Sequence, residues 1–161
     1  VGSEMCIRDS DLLANDHYFF MAWGTSAGIG RRQVGPGSLY FYTPRDATGA
    51  YLDGANNYKL TVPGPVSAKL FWSVTVYDSE TRTIIDTDQG RGAVRTMFEN
   101  PQPNADGSFD VYFGPDAPAG KDNQWVKTIP GKGWFTFLRM YGPQAPIFDG
   151  TYKLPDIERI E

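Results

Sequence analysis

A single histidine, His17, limits the acid–base chemistry open to this sequence. A serine or cysteine nucleophile needs a neighbouring base. His17, flanked by Asp16 and Tyr18, stands far along the chain from the serines of the candidate strands and reads as a helix-surface or interface residue. A catalytic zinc or non-haem iron site asks for two or three imidazoles, which one histidine cannot supply. Calcium asks only for oxygen. Asn104, Asp106, Ser108 and Asp110 alternate through NADGSFD, and Asp46, Asp53 and Asn56 crowd another turn. The first of these lacks the full calcium-loop order and the downstream glutamate. Asn-Ala-Asp-Gly before a strand is ordinary turn chemistry, so a structural turn is the expectation. No metal and no cofactor are expected.

Asp78, Glu80, Asp86 and Asp88 follow one apolar run, and two carboxylates facing each other across a cleft could hydrolyse a glycoside. Surface acids are the norm, so a solvated turn is preferred. Arg139 is different, because it lies inside the apolar run 134–141 on the same face as Phe135, Phe137 and Tyr141. A guanidinium there must be paired and hydrogen-bonded. The preferred reading is an ion pair with an acid such as Asp78 or Asp110; the functional one is an anion clamp at the mouth of a sandwich. Trp125, in a loop among Asn123, Gln124 and Lys127, is the aromatic residue expected to be partly exposed. Aromatic residues could line a sugar-stacking groove, although in a sandwich they mostly fill the core. Arg139, Trp125, Tyr141 and Asp78 are therefore the candidate ligand-binding residues, and no catalytic residue is assigned.

The elements that must position them are strands. Gly 18 and Pro 12 in 161 residues point to many short strands joined by turns. The clearest is FWSVTVYD, 71–78, which is β-branched, aromatic or small until its closing Asp and free of Gly and Pro. Trp72, Val74 and Val76 share one face and Phe71, Ser73, Thr75 and Tyr77 the other, so both faces need cover and the strand should be central. Further strands are predicted at 38–43, 58–62, 82–86, 109–113, 134–141 and 157–160, with a short helix over 90–98. Asp11 to Trp23 has apolar residues at helical spacing, predicting one amphipathic helix. The glycines at 24, 28, 30, 35 and 37 fit neither phosphate-loop motif, and 24–37 reads as a connector.

The net charge of -4 carries no basic stripe, so neither nucleic acid nor a membrane surface is an expected partner. No run approaches the roughly 18 apolar residues that cross a bilayer. The first ten residues, VGSEMCIRDS, resemble a translated transposase-type sequencing adapter, and we expect them not to be native. Setting them aside removes Cys6, the one cysteine, and implies that upstream sequence is missing. The expected organisation is residues 1–10 adapter, 11–37 helix and connector from a missing upstream domain, and 38–161 a β-domain. Without that domain, exposed Phe19, Phe20 and Trp23 would favour self-association as a homo-oligomer.

Several stretches together carry a resemblance: Gly37-Ser38-Leu39-Tyr40, Leu52-Asp53-Gly54, the FWSVTVYD strand, NADGSFDVYFGPDAPAG, Gly131-Lys132-Gly133-Trp134 and Leu138-Arg139-Met140-Tyr141-Gly142-Pro143. In this order they make the chain similar to the bacterial domain of unknown function 1214, which usually follows a domain of unknown function 1254. The resemblance implies a mainly β fold, a jelly-roll-like antiparallel β-sandwich with the N-terminal helix before it. It also implies a partner domain in the same polypeptide and export to the periplasm or beyond, and it carries over no catalytic residue. Two function classes stay open: a binding or structural module without its own catalytic centre, or part of a hydrolase acting on a saccharide or small molecule. In the second, the missing domain completes the site.

Overall fold

The computed structural model describes residues 33–161; the helix predicted over 11–23 lies outside the described residues. Among the described residues, eight strands form two four-stranded sheets. They are β1 (Ser38–Thr43), β2 (Asn57–Val62), β3 (Ala68–Asp78), β4 (Ala93–Arg95), β5 (Phe109–Gly114), β6 (Trp125–Lys127), β7 (Trp134–Pro143) and β8 (Glu158–Ile160). The first sheet runs β1-β7-β3-β4 and the second β6-β5-β2-β8. All pairs are antiparallel except β5 with β6, which makes the second sheet mixed. A five-residue helix, α1 (Ala145–Asp149), follows β7 and ends at Gly150, whose φ of 80° suits a residue without Cβ.

The strand 71–78 is central as its composition requires. Trp72, Val74 and Val76 are 4%, 0% and 0% exposed, and Ser73, Thr75 and Tyr77 on the opposite face are also buried, at 6%, 6% and 3%. The inward residues of both sheets meet in one core. Trp72 meets Phe109 edge-on at 5.4 Å, and Trp134 lies between Phe113 at 4.9 Å and Tyr58 at 5.6 Å. Burying each such side chain contributes roughly 1.5–3 kcal/mol, so this layer dominates the stability of the β-unit. Among the described residues, no helix is long and apolar enough to cross a membrane.

Three expectations need correction. The segment 82–86 supplies only a bridge, Ile84 to Tyr77, because the Asp78 carboxylate caps the N–H groups of Glu80 and Thr81 and Arg82 then turns at φ 61°. The segment 90–98 holds strand β4 instead of a helix. Val94 is fully buried, so alternation won over helical spacing, and Gly90 at φ 69° breaks the start of any helix. Trp125, placed in a loop, instead opens the edge strand β6.

Candidate functional site

Strand pairing lays the outward residues of the first sheet in rows. One row crosses all four strands as Tyr40, Arg139, Ser73 and Arg95. The row on one side is Ser38, Tyr141 and Phe71, and that on the other is Tyr42, Phe137, Thr75 and Ala93. Beyond β3 the chain doubles back as a strap over 79–92 and forms the wall of a groove of about 430 Å³. The strap fits closely: a Cβ on Gly92 would lie 2.5 Å from the Ile84 side chain. The groove floor is Ser73, Thr75, Arg139 and Tyr141, and Arg91 and Phe98 stand among its walls.

Among the described residues, no carboxylate pairs with Arg139. Its Nη2 donates to the Tyr77 hydroxyl, and its guanidinium lies 5.4 Å from the Tyr40 ring centre and 5.9 Å from that of Tyr77. Its Nε is buried and has no hydrogen-bond partner among the described residues. The expected ion pair is absent. Asp78 pairs with Lys132 Nζ at 3.0 Å, and Asp110, on the second sheet, accepts from the Thr61 hydroxyl at 2.7 Å. A buried donor without an acceptor is costly.

The other two arginines differ in their neutralisation. Arg95 forms a two-pronged pair with Glu99, Nη2 to Oε1 at 2.6 Å and Nε to Oε2 at 3.0 Å. Burial alone would raise the Glu99 pKa, but the hydrogen bonds and charge of Arg95 hold it below the ordinary glutamate value. Arg91 donates from Nη2 to the carbonyl oxygens of Asp122 and Trp125, the latter at 3.0 Å, and its Nε is buried and unpaired. Among the described residues, no acid lines the groove. Tyr141 stacks on Phe71, 4.0 Å between ring centres and 16° between planes, giving one end of the floor an apolar surface.

A family model described as "Protein of unknown function (DUF1214)" matches residues 37–145. The chain belongs to the DUF1214 family. Every groove residue of this DUF1214 chain, from Phe71 to Tyr141, falls within the matched stretch. Among solved structures, the VPA0106 protein from Vibrio parahaemolyticus is 24% identical with a TM-score of 0.69, over 88% of this chain and 35% of that one. The likeness is one of fold, and the chain spans about a third of that protein's length. A putative uncharacterized protein from Burkholderia cenocepacia is 20% identical with a TM-score of 0.47, over 78% of this chain and 31% of that one. No curated protein matches.

The DUF1214 structure thus brings two of the four candidates together. Arg139 and Tyr141 share the groove; Asp78 and Trp125 do not. Asp78 closes the far end of β3, where burial would raise its pKa and the Thr81 N–H, Lys132 and the Glu80 N–H outweigh it, leaving it lowered. Trp125 donates from Nε1 to the Gly114 carbonyl at 3.0 Å and locks β6 onto β5. The two oxygen-rich turns also use their acids locally. Asp106 accepts from the Ser108 N–H at 2.9 Å and hydroxyl at 2.6 Å, and Asp46 accepts from the Thr48 hydroxyl at 2.6 Å. Glu80, Asp86 and Asp88 are exposed. Sequence reasoning missed Ser73, Thr75, Arg91 and Arg95. The available signal was the Arg-Gly-Ala-Val-Arg run, whose meaning depends on its being a strand.

Proposed function

We propose that this chain is the binding module of a longer bacterial protein, a jelly-roll-like β-sandwich without a catalytic centre of its own, and that it holds an anion in the Arg139 groove. One observation carries the reading: Arg139, unpaired with any carboxylate among the described residues, lines a groove to which those residues contribute no acid. Its span of 35% of the VPA0106 chain supports a place within a larger polypeptide. The preceding domain, taken from the resemblance to be of the 1254 type, is the partner we assign. Tyr40 and Tyr42, 51% and 52% exposed on edge strand β1, give it an apolar docking edge beside the groove.

The hydrolase reading finds less support. Ser73 and Thr75 bring hydroxyls to the groove, but arginine does not act as a base at neutral pH, so a base would have to come from another segment.

Thermal melting with benzoate, phenyl phosphate and benzyl alcohol, each added alone to the wild type and to Arg139→Gln, tests the reading. A ligand that binds only the folded state raises the melting temperature by mass action. The expected result is a saturable rise with at least one of the anions for the wild type, little or none for Arg139→Gln, and none with benzyl alcohol. Equal shifts in both proteins, or none with either anion, would overturn it.

A further inference from the structure

Resting on the anion-binding reading above, we infer that the groove takes a dianionic phosphate monoester carrying an aromatic or apolar body. Three features define that ligand. The first is charge. Arg91, Arg95 and Arg139 line the groove, Glu99 outside it neutralises only Arg95, and no acid among the described residues lines the space. Two guanidinium charges are left, and two half-buried cations are best met by two negative charges.

The second feature is the donor set. The Nε atoms of Arg91 and Arg139 are buried without acceptors. Ser73 and Thr75, each 6% exposed, bring hydroxyls to the floor beside Arg139. Guanidinium groups and two hydroxyls lining one groove suit a group with three terminal oxygens better than a carboxylate with two. The Arg95–Glu99 pair, reinforced by the Arg95 N–H to Glu99 Oε2 at 2.8 Å, fixes the wall beside Ser73 and is a positioning element.

The third feature is the apolar end. The Phe71–Tyr141 stack forms one end of the floor, and Met97 and Phe98, 65% and 70% exposed, also line the groove. Exposed side chains of this size beside a cationic floor give a ring or alkyl body somewhere to lie after the phosphate has docked. Inorganic phosphate would meet the donors and leave these side chains unused.

Isothermal titration with phenyl phosphate, inorganic phosphate, benzoate and phthalate at pH 7.5 and pH 5 separates the possibilities. Phenyl phosphate is expected to bind at least about tenfold more tightly than benzoate at pH 7.5, as charge-assisted hydrogen bonds are worth about one such factor each. It should weaken as the pH falls to 5, because the second phosphate ionisation lies near pH 6. Arg139→Gln should lose about tenfold or more, and Ser73→Ala, a substitution that leaves packing intact, a smaller amount. Phe98→Ala should weaken phenyl phosphate and leave inorganic phosphate unchanged. Benzoate or phthalate binding as tightly as phenyl phosphate would overturn the phosphate assignment while leaving an anion site. Equal affinity for phenyl and inorganic phosphate would overturn the apolar body. Binding of none of the four would overturn both this inference and the function on which it rests.

Discussion

The outer faces of the two sheets are built on opposite principles. On the second sheet, cross-strand pairs are polar and wet: Lys59 reaches Glu158 at 3.7 Å, and Thr61 donates to Asp110 at 2.7 Å. On the first, the outward rows carry Phe71, Tyr77, Phe135, Phe137 and Tyr141 around Arg139. Tyr77 stacks on Phe135 at 5.3 Å and 9°, and Phe137 meets Tyr77 edge-on at 5.6 Å. A sheet that only closes a core needs one apolar face. The first sheet has two, and the second is where its arginines gather. The difference fits the proposed function, in which this face is covered or occupied.

The sharpest way to break that contrast is a matched pair of truncations. Tyr77→Ala should cost about 3–5 kcal/mol by denaturant unfolding, the loss expected of a core aromatic, because it removes a stacked ring and the Arg139 hydroxyl partner. Tyr112→Ala, outward on the second sheet, should cost about 1 kcal/mol. Similar costs would mean that the two faces do the same job.

A smaller effect belongs to the end of β3. Asp78→Asn should destabilise by about 2 kcal/mol, since it weakens hydrogen bonds to a buried carboxylate and the Lys132 pair. Its folded pKa is lowered, so the contribution is fully present above the ordinary aspartate value and is lost as pH falls through the folded one. Acid unfolding curves of wild type and variant should therefore converge below that range. Curves that stay parallel through acid would remove Asp78 from the account.

The smallest change is expected on the second face. Lys59→Ala should shift stability by less than about 0.5 kcal/mol, and added salt should erase the difference, because the pair is exposed and screened. A larger, salt-independent loss would mean that this face is covered too.

The strands were largely legible in the sequence because alternation is a local signal. Ser38–Thr43 falls where its residue types place it, and β2, β3, β5, β7 and β8 lie within a few residues of expectation. Arg139 and Tyr141 could be singled out because a cation in an aromatic strand is anomalous at the level of one segment. Their neighbours could not. Ser73 meets Arg139 through the β3–β7 register, and Arg91 arrives on a strap whose path depends on Asp78 capping a turn thirteen residues earlier. Pairing across 66 residues is a property of the whole sheet, which no window of sequence contains. The expected Arg139–Asp78 pair failed for the same reason: Asp78 pairs across from Trp134, at the opposite end of β7.

The most direct test of the central claim is a chemical-shift map of the chain titrated with phenyl phosphate. We predict that the signals of Ser73, Thr75, Arg139 and Tyr141 move together with one saturation curve while those of Lys59, Thr61 and Tyr112 stay still. Movement centred on the second sheet, or no saturable movement on the first, would contradict the assignment of the aromatic face as the working face.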